Sequence, residues 1–546
     1  MKRNYFNKWA AAVLTFTMLL TGCGQAADSN ATDNEILPES AAETDSEVKG
    51  DSASSEVASE SSGDRQTLKL FVDETWWPYD SWNGRIPEMV SEKLGIDIEV
   101  TVAADDTAMN LMIASGEMGD LVCTGKFGRM SDSNVCYSLD ELAEMAGEEL
   151  ELHSVLRYVN TADDGNIYTV MAGFSPECDM KQYDKAVYEG PGLAVRTDIY
   201  EELGSPEVKD LDDFEALLAQ VKEKYPDKIP FIYNSVHNNN FIKVLFGATT
   251  GSEGFIDMDG KAVPFIKDPN LKAYYATMNE WYRKGYMSDE NFAFTSDDND
   301  LEYMISDKVF AVSKYCDTEN VFNGRMEKAG CDFTVTQLID LTNMDGAKFH
   351  QTTAGWRGLF VPKSCSNPEL AYKFIKFALS WEGQELMQWG EEGVDWEWSE
   401  DKSYPVMKYD FDNPNTEEGV KYWGWMYHNS VTNSIPGYEN GGATYAAKKA
   451  ITDIAEVNPI LGMLRLNADS EEQAIMKNLS ELYKTKSVEI ITAPSAEASE
   501  KLYEEMLTTA DELGIEKLEE WAVPRYEEKR PAMMLLRITK NNTESS

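Results

Sequence analysis

Leu68-Lys69-Leu70-Phe71-Val72 and Ile96-Asp97-Ile98-Glu99-Val100-Thr101-Val102 decide the fold class of this chain. The first run is short and rich in strand formers, and the second alternates apolar and polar residues with the period of a strand. Between them Ile86, Met89, Val90 and Leu94 recur at helical spacing, and a second helical stretch over 106–115 stops at Gly116 before Asp120-Leu121-Val122. Strand, helix, strand, helix, strand predicts a parallel sheet with right-handed crossovers, the start of an α/β lobe.

Outward from that lobe, Asp212-Asp213 precedes Phe214, Leu217, Leu218 and Val221, an acid-capped amphipathic helix that Pro226 closes. Asp259-Gly260 lies between two short apolar runs and predicts a hairpin turn, because this pair accepts positive φ. A helix is predicted over 271–283, buried strands over 309–312 and 359–361, and packed helices over 368–381 and 383–389. Three further helices, over 443–458, 471–485 and 497–513, are expected to close the structure. No repeat of fixed period is present, which argues against a solenoid or propeller. At roughly 150 residues per domain, the 546 residues correspond to about three or four domain-sized units.

Composition excludes several classes. With 49 basic and 96 acidic side chains the formal charge is -47, which repels phosphate backbones and excludes a nucleic-acid partner. The apolar run over 10–20 holds eleven residues, too few for the ~20 of a membrane-spanning helix. Lys2, Arg3 and Lys8 precede it and Leu20-Thr21-Gly22-Cys23 ends it, the order of a secretory signal. From Gly24 to Asp64 the chain has eleven acids, nine serines and no aromatic residue, so it is expected to be a solvated, disordered linker. The six cysteines after Cys23 form no Cys-x-x-Cys pair, and His153, His237, His350 and His428 have no zinc spacing, so no metal and no cofactor is expected. Residues 119–126 miss the spacing of a phosphate loop, no Gly-x-Ser-x-Gly elbow occurs, and 297–300 lacks the Gly of a calcium loop.

Several fragments together resemble one family. Gly190-Pro191-Gly192-Leu193-Ala194-Val195-Arg196-Thr197-Asp198-Ile199-Tyr200-Glu201-Glu202-Leu203-Gly204 is similar to the stretch by which extracellular solute-binding proteins of ABC importers enter their second lobe. Val361-Pro362-Lys363-Ser364, Asn367-Pro368-Glu369-Leu370-Ala371, Ser380-Trp381-Glu382-Gly383 and Gly390-Glu391-Glu392-Gly393 follow in the family's order. Leu20 to Cys23 resembles the bacterial lipoprotein box, which implies cleavage after residue 22 and lipidation of Cys23, and places the mature protein at the extracellular face of the cytoplasmic membrane. The whole resembles the large oligosaccharide-binding lipoproteins of Gram-positive bacteria.

This resemblance implies a two-lobed α/β fold, periplasmic-binding-protein-like, with hinge strands crossing between lobes and a ligand cleft. The expected division is signal peptide 1–22, linker 23–65, first lobe 66–190 with 305–348, second lobe 191–304 with 349–530, and tail 531–546. The implied partners are an oligosaccharide and the permease subunits, with the protein acting as a monomer and not as an enzyme. A secreted glycoside hydrolase, whose two carboxylates need only meet in space, is the rival reading; a peptide or another solute is the rival ligand.

Ligands of open α/β sheets bind beyond the carboxyl ends of strands. The first strand is followed by Glu74, Trp76, Trp77, Tyr79 and Trp82, whose rings can stack on sugars while their polar tips meet hydroxyls. Trp356-Arg357 pairs a ring with a guanidinium and is the expected second-lobe contact. Asn234, His237 and Asn238 offer polar groups in a loop. The resemblance places Tyr315 as a ligand-facing aromatic on the first lobe. Trp396, Trp398, Trp423, Trp425 and Tyr427 either extend the cleft or belong to the core, and Trp396 is counted with the ligand contacts.

Overall fold

The computed structural model describes residues 65–538 apart from Asp106, 237–239, Asp297, 412–413, 415 and 439–441, and without the side chains of 442–443 and 533–538. The expected signal peptide, lipidated Cys23 and all of the expected linker but Arg65 lie outside the described residues. Two four-stranded sheets organise the rest.

The opening sequence folds as read. Gln66–Val72 pairs in parallel with Ile96–Val102 on one side and Leu121–Thr124 on the other, with helices Arg85–Leu94 and Ala108–Ser115 as the crossovers. Alternation works as it should in the second strand: Ile96 and Ile98 are buried and Glu99 is exposed. Gly95 and Gly116, both left-handed, end the two helices, the conformation that favours glycine. The fourth strand of this sheet, Gly358–Phe360, joins from far along the chain and runs antiparallel to Leu121–Thr124.

In the second sheet Val309–Tyr315 is central, parallel to Ile229–Tyr233 and antiparallel to Pro191–Arg196, which in turn pairs with Val335–Gln337. This corrects the expected division of the chain. Residues 305–348 carry strands of the second sheet, and residues following 349 carry a strand of the first. A mixed sheet takes strands from distant stretches whenever their apolar faces fit its edge, and sequence order does not disclose which edge that is.

The acid-capped helix is Leu211–Lys224, capped by the side chain of Asp210, which accepts the Asp213 amide at 2.9 Å. Its buried face and Trp281 from helix Leu271–Arg283 enclose Phe231 in a set of edge-on rings 5.5–5.9 Å apart. The hairpin of Phe255–Met258 and Lys261–Pro264 turns at Asp259 and Gly260, both at positive φ, as the dipeptide predicts. Asn367 caps helix Pro368–Leu379, and a π-helical turn, Glu385–Trp389, follows the short helix Trp381–Gln384. Helices Gly442–Asp453, Glu471–Ile491 and Ala496–Glu512 fall where helices are expected, although residues 455–457 form a strand beside Phe349–Gln351. Residues 531–538 of the expected tail are the last turns of helix Ile515–Ile538, and the rest of it lies outside the described residues. No described helix is long and apolar enough to cross a membrane.

Candidate functional site

Because Gly358–Phe360 runs antiparallel in an otherwise parallel sheet, the residues before it lie beside the carboxyl ends of its neighbours: Gly358 is opposite Thr124. Trp356 and Arg357 thus meet the loop that follows Gln66–Val72. That loop is anchored at its start, where the Asp73 carboxylate accepts from Thr124 Oγ1 at 2.7 Å and from Lys126 Nζ at 2.9 Å.

Arg357 is fully buried beneath three indoles, its guanidinium carbon 3.3 Å from the Trp356 ring centroid, 4.9 Å from Trp76 and 5.2 Å from Trp77. Glu74 is its counter-charge at 3.5 Å, and the other carboxylate oxygen accepts from Trp76 Nε1 at 3.0 Å. None of the three guanidinium nitrogens meets the geometry of a normal hydrogen bond among the described residues; the Glu74 carboxylate, the neighbouring Cys123 thiol and the indole rings surround it. Burial pushes both partners towards neutrality, Arg357 down and Glu74 up, while their mutual attraction opposes the change. On this base Trp76 and Trp356 lie 6.3 Å apart at an interplanar angle of 23°, and they are 47% and 39% exposed. The Trp356 ring rests on Gly173, which has φ +81 and on which an added Cβ would lie 2.6 Å from the indole.

A polar strip continues from these rings. Trp425 meets Trp76 edge-on at 6.1 Å and donates Nε1–H to Asn433 at 3.0 Å; Asn433 donates to Glu189 at 2.9 Å, and Lys448 donates to the same oxygen at 3.3 Å. His428 is buried between Trp356 and Trp425, and its pKa is driven down to about 4 by burial, against the pull of Glu189. Partial desolvation raises the Glu189 carboxyl, although its side chain stays 55% exposed, but Lys448, His428 and Lys421 outweigh it and hold the group below its usual value. Glu189 directly precedes Gly190 and the strand Pro191–Arg196, so the strip leads from the first sheet to the second. At one end Trp356 borders a groove of about 800 Å³ whose lining includes Asn110, Lys126, Gln473 and Lys477. At the other end Lys448 shares a pocket with Asn320 and Asp410, which also line a groove of about 920 Å³ between helix Thr318–Lys328 and residues 407–410.

Residues 88–394, more than half of the chain, match the profile of the bacterial extracellular solute-binding proteins. The chain belongs to that family. Members are extracellular binding proteins, and the chain is 24% identical over 430 residues to a carbohydrate ABC transporter substrate-binding protein of Streptococcus pneumoniae serotype 4, covering 76% of this chain and 81% of that one. Among solved structures, the S. pneumoniae substrate-binding protein FusA in complex with kestose superimposes with TM-score 0.64 at 15% identity, over 86% of this chain and 100% of that one. The S. pneumoniae N-glycan transport protein NgtS gives 0.58 at 18%, and the alginate-binding protein AlgQ2 gives 0.60 at 16%, each over 85% of this chain and 99% of theirs. These neighbours are two-lobed solute-binding proteins, and this chain shares their α/β fold.

Within this solute-binding protein the expected contacts divide. Glu74, Trp76, Trp356 and Arg357 come together, but Trp356 and Arg357 sit on the first sheet, not on the second lobe, and Arg357 lies behind the rings rather than at the surface. Trp77 and Tyr79 are core residues against Trp423, the Tyr79 hydroxyl donating to the Val420 carbonyl. Trp82 packs on Trp423 and Phe374 and donates to Ser91. Trp396 is 1% exposed and stacks edge-on with Trp389, so it is core and not a cleft wall. Of the late cluster only Trp425 reaches the site; Trp423 and Tyr427 are buried. Loop aromatics turn inward here because each ring removes a large apolar area from water. Asn234 is buried and donates to Asp300 rather than opening into a cleft, and His237 and Asn238 lie outside the described residues. Tyr315 ends the central strand of the second sheet and so leaves the first lobe. Glu189, Asn433, Lys448 and His428 were missed; only Glu189, next to the Gly190-Pro191 crossing, carried a signal.

Proposed function

We propose that this protein captures an oligosaccharide between its lobes by closure and delivers it unaltered to a membrane permease. The observation that carries this reading is the near-parallel, half-exposed pair of Trp76 and Trp356 on a buried cationic base, continued by a strip of amide, carboxylate and ammonium groups. A sugar presents flat C–H faces and a rim of hydroxyls, which such a surface matches. The carbohydrate relatives support the ligand class. The lipoprotein-like start supports an anchor through Cys23 at the extracellular face of the membrane. Closure follows ligand only as far as the ligand binds the closed form better than the open one.

The test is calorimetric titration of the full chain with plant and host oligosaccharides, with peptides and monosaccharides as controls, and mass analysis of the recovered ligand. Saturable binding of an oligosaccharide recovered intact supports the reading. A cleaved oligosaccharide makes the protein a hydrolase, and binding confined to peptides overturns the ligand class.

A further inference from the structure

The fold brings three metal-binding side chains together outside the cleft strip. His153 starts helix Ser154–Asn160, and Cys178 and Asp179 lie in the first turn of helix Glu177–Gln182. Their ligand atoms all lie within 4.8 Å of one another, with Cys178 Sγ 3.8 Å from His153 Nε2 and 3.6 Å from Asp179 Oδ1. Bond lengths of about 2.3 Å to sulfur and 2.0–2.1 Å to nitrogen or oxygen put the ligand atoms of a tetrahedral zinc ion about 3.6 Å apart. The separations of 3.6 and 3.8 Å lie close to that edge length, and the remaining pair, His153 with Asp179, lies within 4.8 Å. All three residues are partly buried, which restrains their side chains.

We propose that His153, Cys178 and Asp179 form a binding site for one zinc-type divalent cation. The donor set selects the ion: a thiolate and an imidazole suit zinc, whereas calcium and magnesium require oxygen ligands throughout. Binding releases the Cys178 thiol proton, so affinity falls in acid. The His153 Nδ1 atom accepts the Val155 amide at 3.2 Å. Coordination through Nε2 moves the ring proton to Nδ1 and gives up that bond, at a helix start whose first amides water can serve. The ion ties the helix Glu177–Gln182, which begins the segment leading to Glu189, to the start of helix Ser154–Asn160. This inference stands independently of the sugar reading.

The test uses the full chain stripped with chelator and titrated with Co(II) as a spectroscopic probe. One equivalent should give a thiolate-to-cobalt charge-transfer band in the near ultraviolet with the intense visible bands of a tetrahedral site, and Zn(II) should bleach both. C178S should abolish the charge-transfer band, and D179N and H153N, the latter keeping a capping acceptor, should each weaken binding about tenfold or more. In the unsubstituted chain Zn(II) should protect Cys178 from iodoacetamide, read by mass spectrometry, whether or not the variants fold. No saturable band in the unsubstituted chain, an undiminished band in C178S, or alkylation of Cys178 at the same rate with zinc overturns the site.

Discussion

At the scale of the residue, burial separates tryptophans that sequence treats alike. Trp76 and Trp356 are half-exposed, whereas Trp396 is enclosed and its Nε1 donates to the Gly390 carbonyl. W76A and W356A should each weaken oligosaccharide binding by about 1.5 kcal/mol, roughly tenfold, and the melting temperature should fall more for W356A, whose ring lies 3.3 Å from the buried Arg357 guanidinium, than for W76A. W396A should lower stability by about 3 kcal/mol or more and leave the affinity of the folded fraction intact. Calorimetry beside thermal melts checks both, and the reverse pattern would remove the indole pair from the site. E74Q strips a fully buried guanidinium of its counter-charge and should lower stability by about 3 kcal/mol in denaturant titration. His428 gives a pH dependence. Its folded pKa is about 4 through burial, against about 6.5 in an unfolded chain, so between these values the unfolded state binds more protons. Stability should therefore fall as pH drops from about 6.5 to about 4, by about 3 kcal/mol from this group. Glu189, whose carboxyl is held low, adds a loss in the same direction only as pH falls below the ordinary glutamate value of about 4.3. Urea midpoints across this window should fall less steeply for H428Q, and parallel profiles would refute the assignment.

At the scale of the element, the strand Gly358–Phe360 determines the site. Its antiparallel entry carries Trp356 and Arg357 to the ends of the parallel strands, and it needs glycine at its first position, because a Cβ on Gly358 would lie 2.4 Å from Thr169 Oγ1. G358A should displace the strand's start, with losses in both melting temperature and ligand affinity. G173A at positive φ should push the Trp356 ring outward and reduce affinity more than stability. If G173A binds as well as the unsubstituted protein, the ring's position is not what the ligand reads. The elements themselves were legible wherever the pattern is local: period two over Ile96–Val102, helical spacing and a left-handed glycine around Arg85–Leu94, and Asp259-Gly260 at the hairpin. The strand after Arg357 was legible as a strand, but its partner was not.

At the scale of the whole molecule, contacts between distant segments set how the two sheets are joined. Arg465 follows the turn Pro459–Gly462, packs 4.0 Å from the Phe127 ring and donates to the Val159 and Ala354 carbonyls at 3.3 Å each. Phe127 belongs to the first-sheet core with Phe71 and Phe360, whereas Leu464 packs in the core of the second sheet. R465M removes two charge-assisted bonds, worth about 3 kcal/mol or more together. It should raise the radius of gyration of the ligand-free protein in X-ray scattering, and saturating oligosaccharide should reduce it in both proteins. An unchanged radius for R465M would show that other contacts join the sheets.

Periodicity, capping residues and turn dipeptides determined the elements and the α/β class, because they record the preferences of neighbouring residues for a helix, strand or turn. Fragments in family order pointed to a two-lobed solute-binding protein. Only the tertiary structure decided which sheet each late strand enters, which tryptophans face outward, and that Glu189, Asn433 and Lys448 meet. It also brought His153 to Cys178 and Asp179, a set with no sequence spacing. The physical reason is the same in each case. Burial and pairing are settled by residues far apart in the chain, and a ring, a carboxylate or a thiol has no fixed role until its neighbours are known.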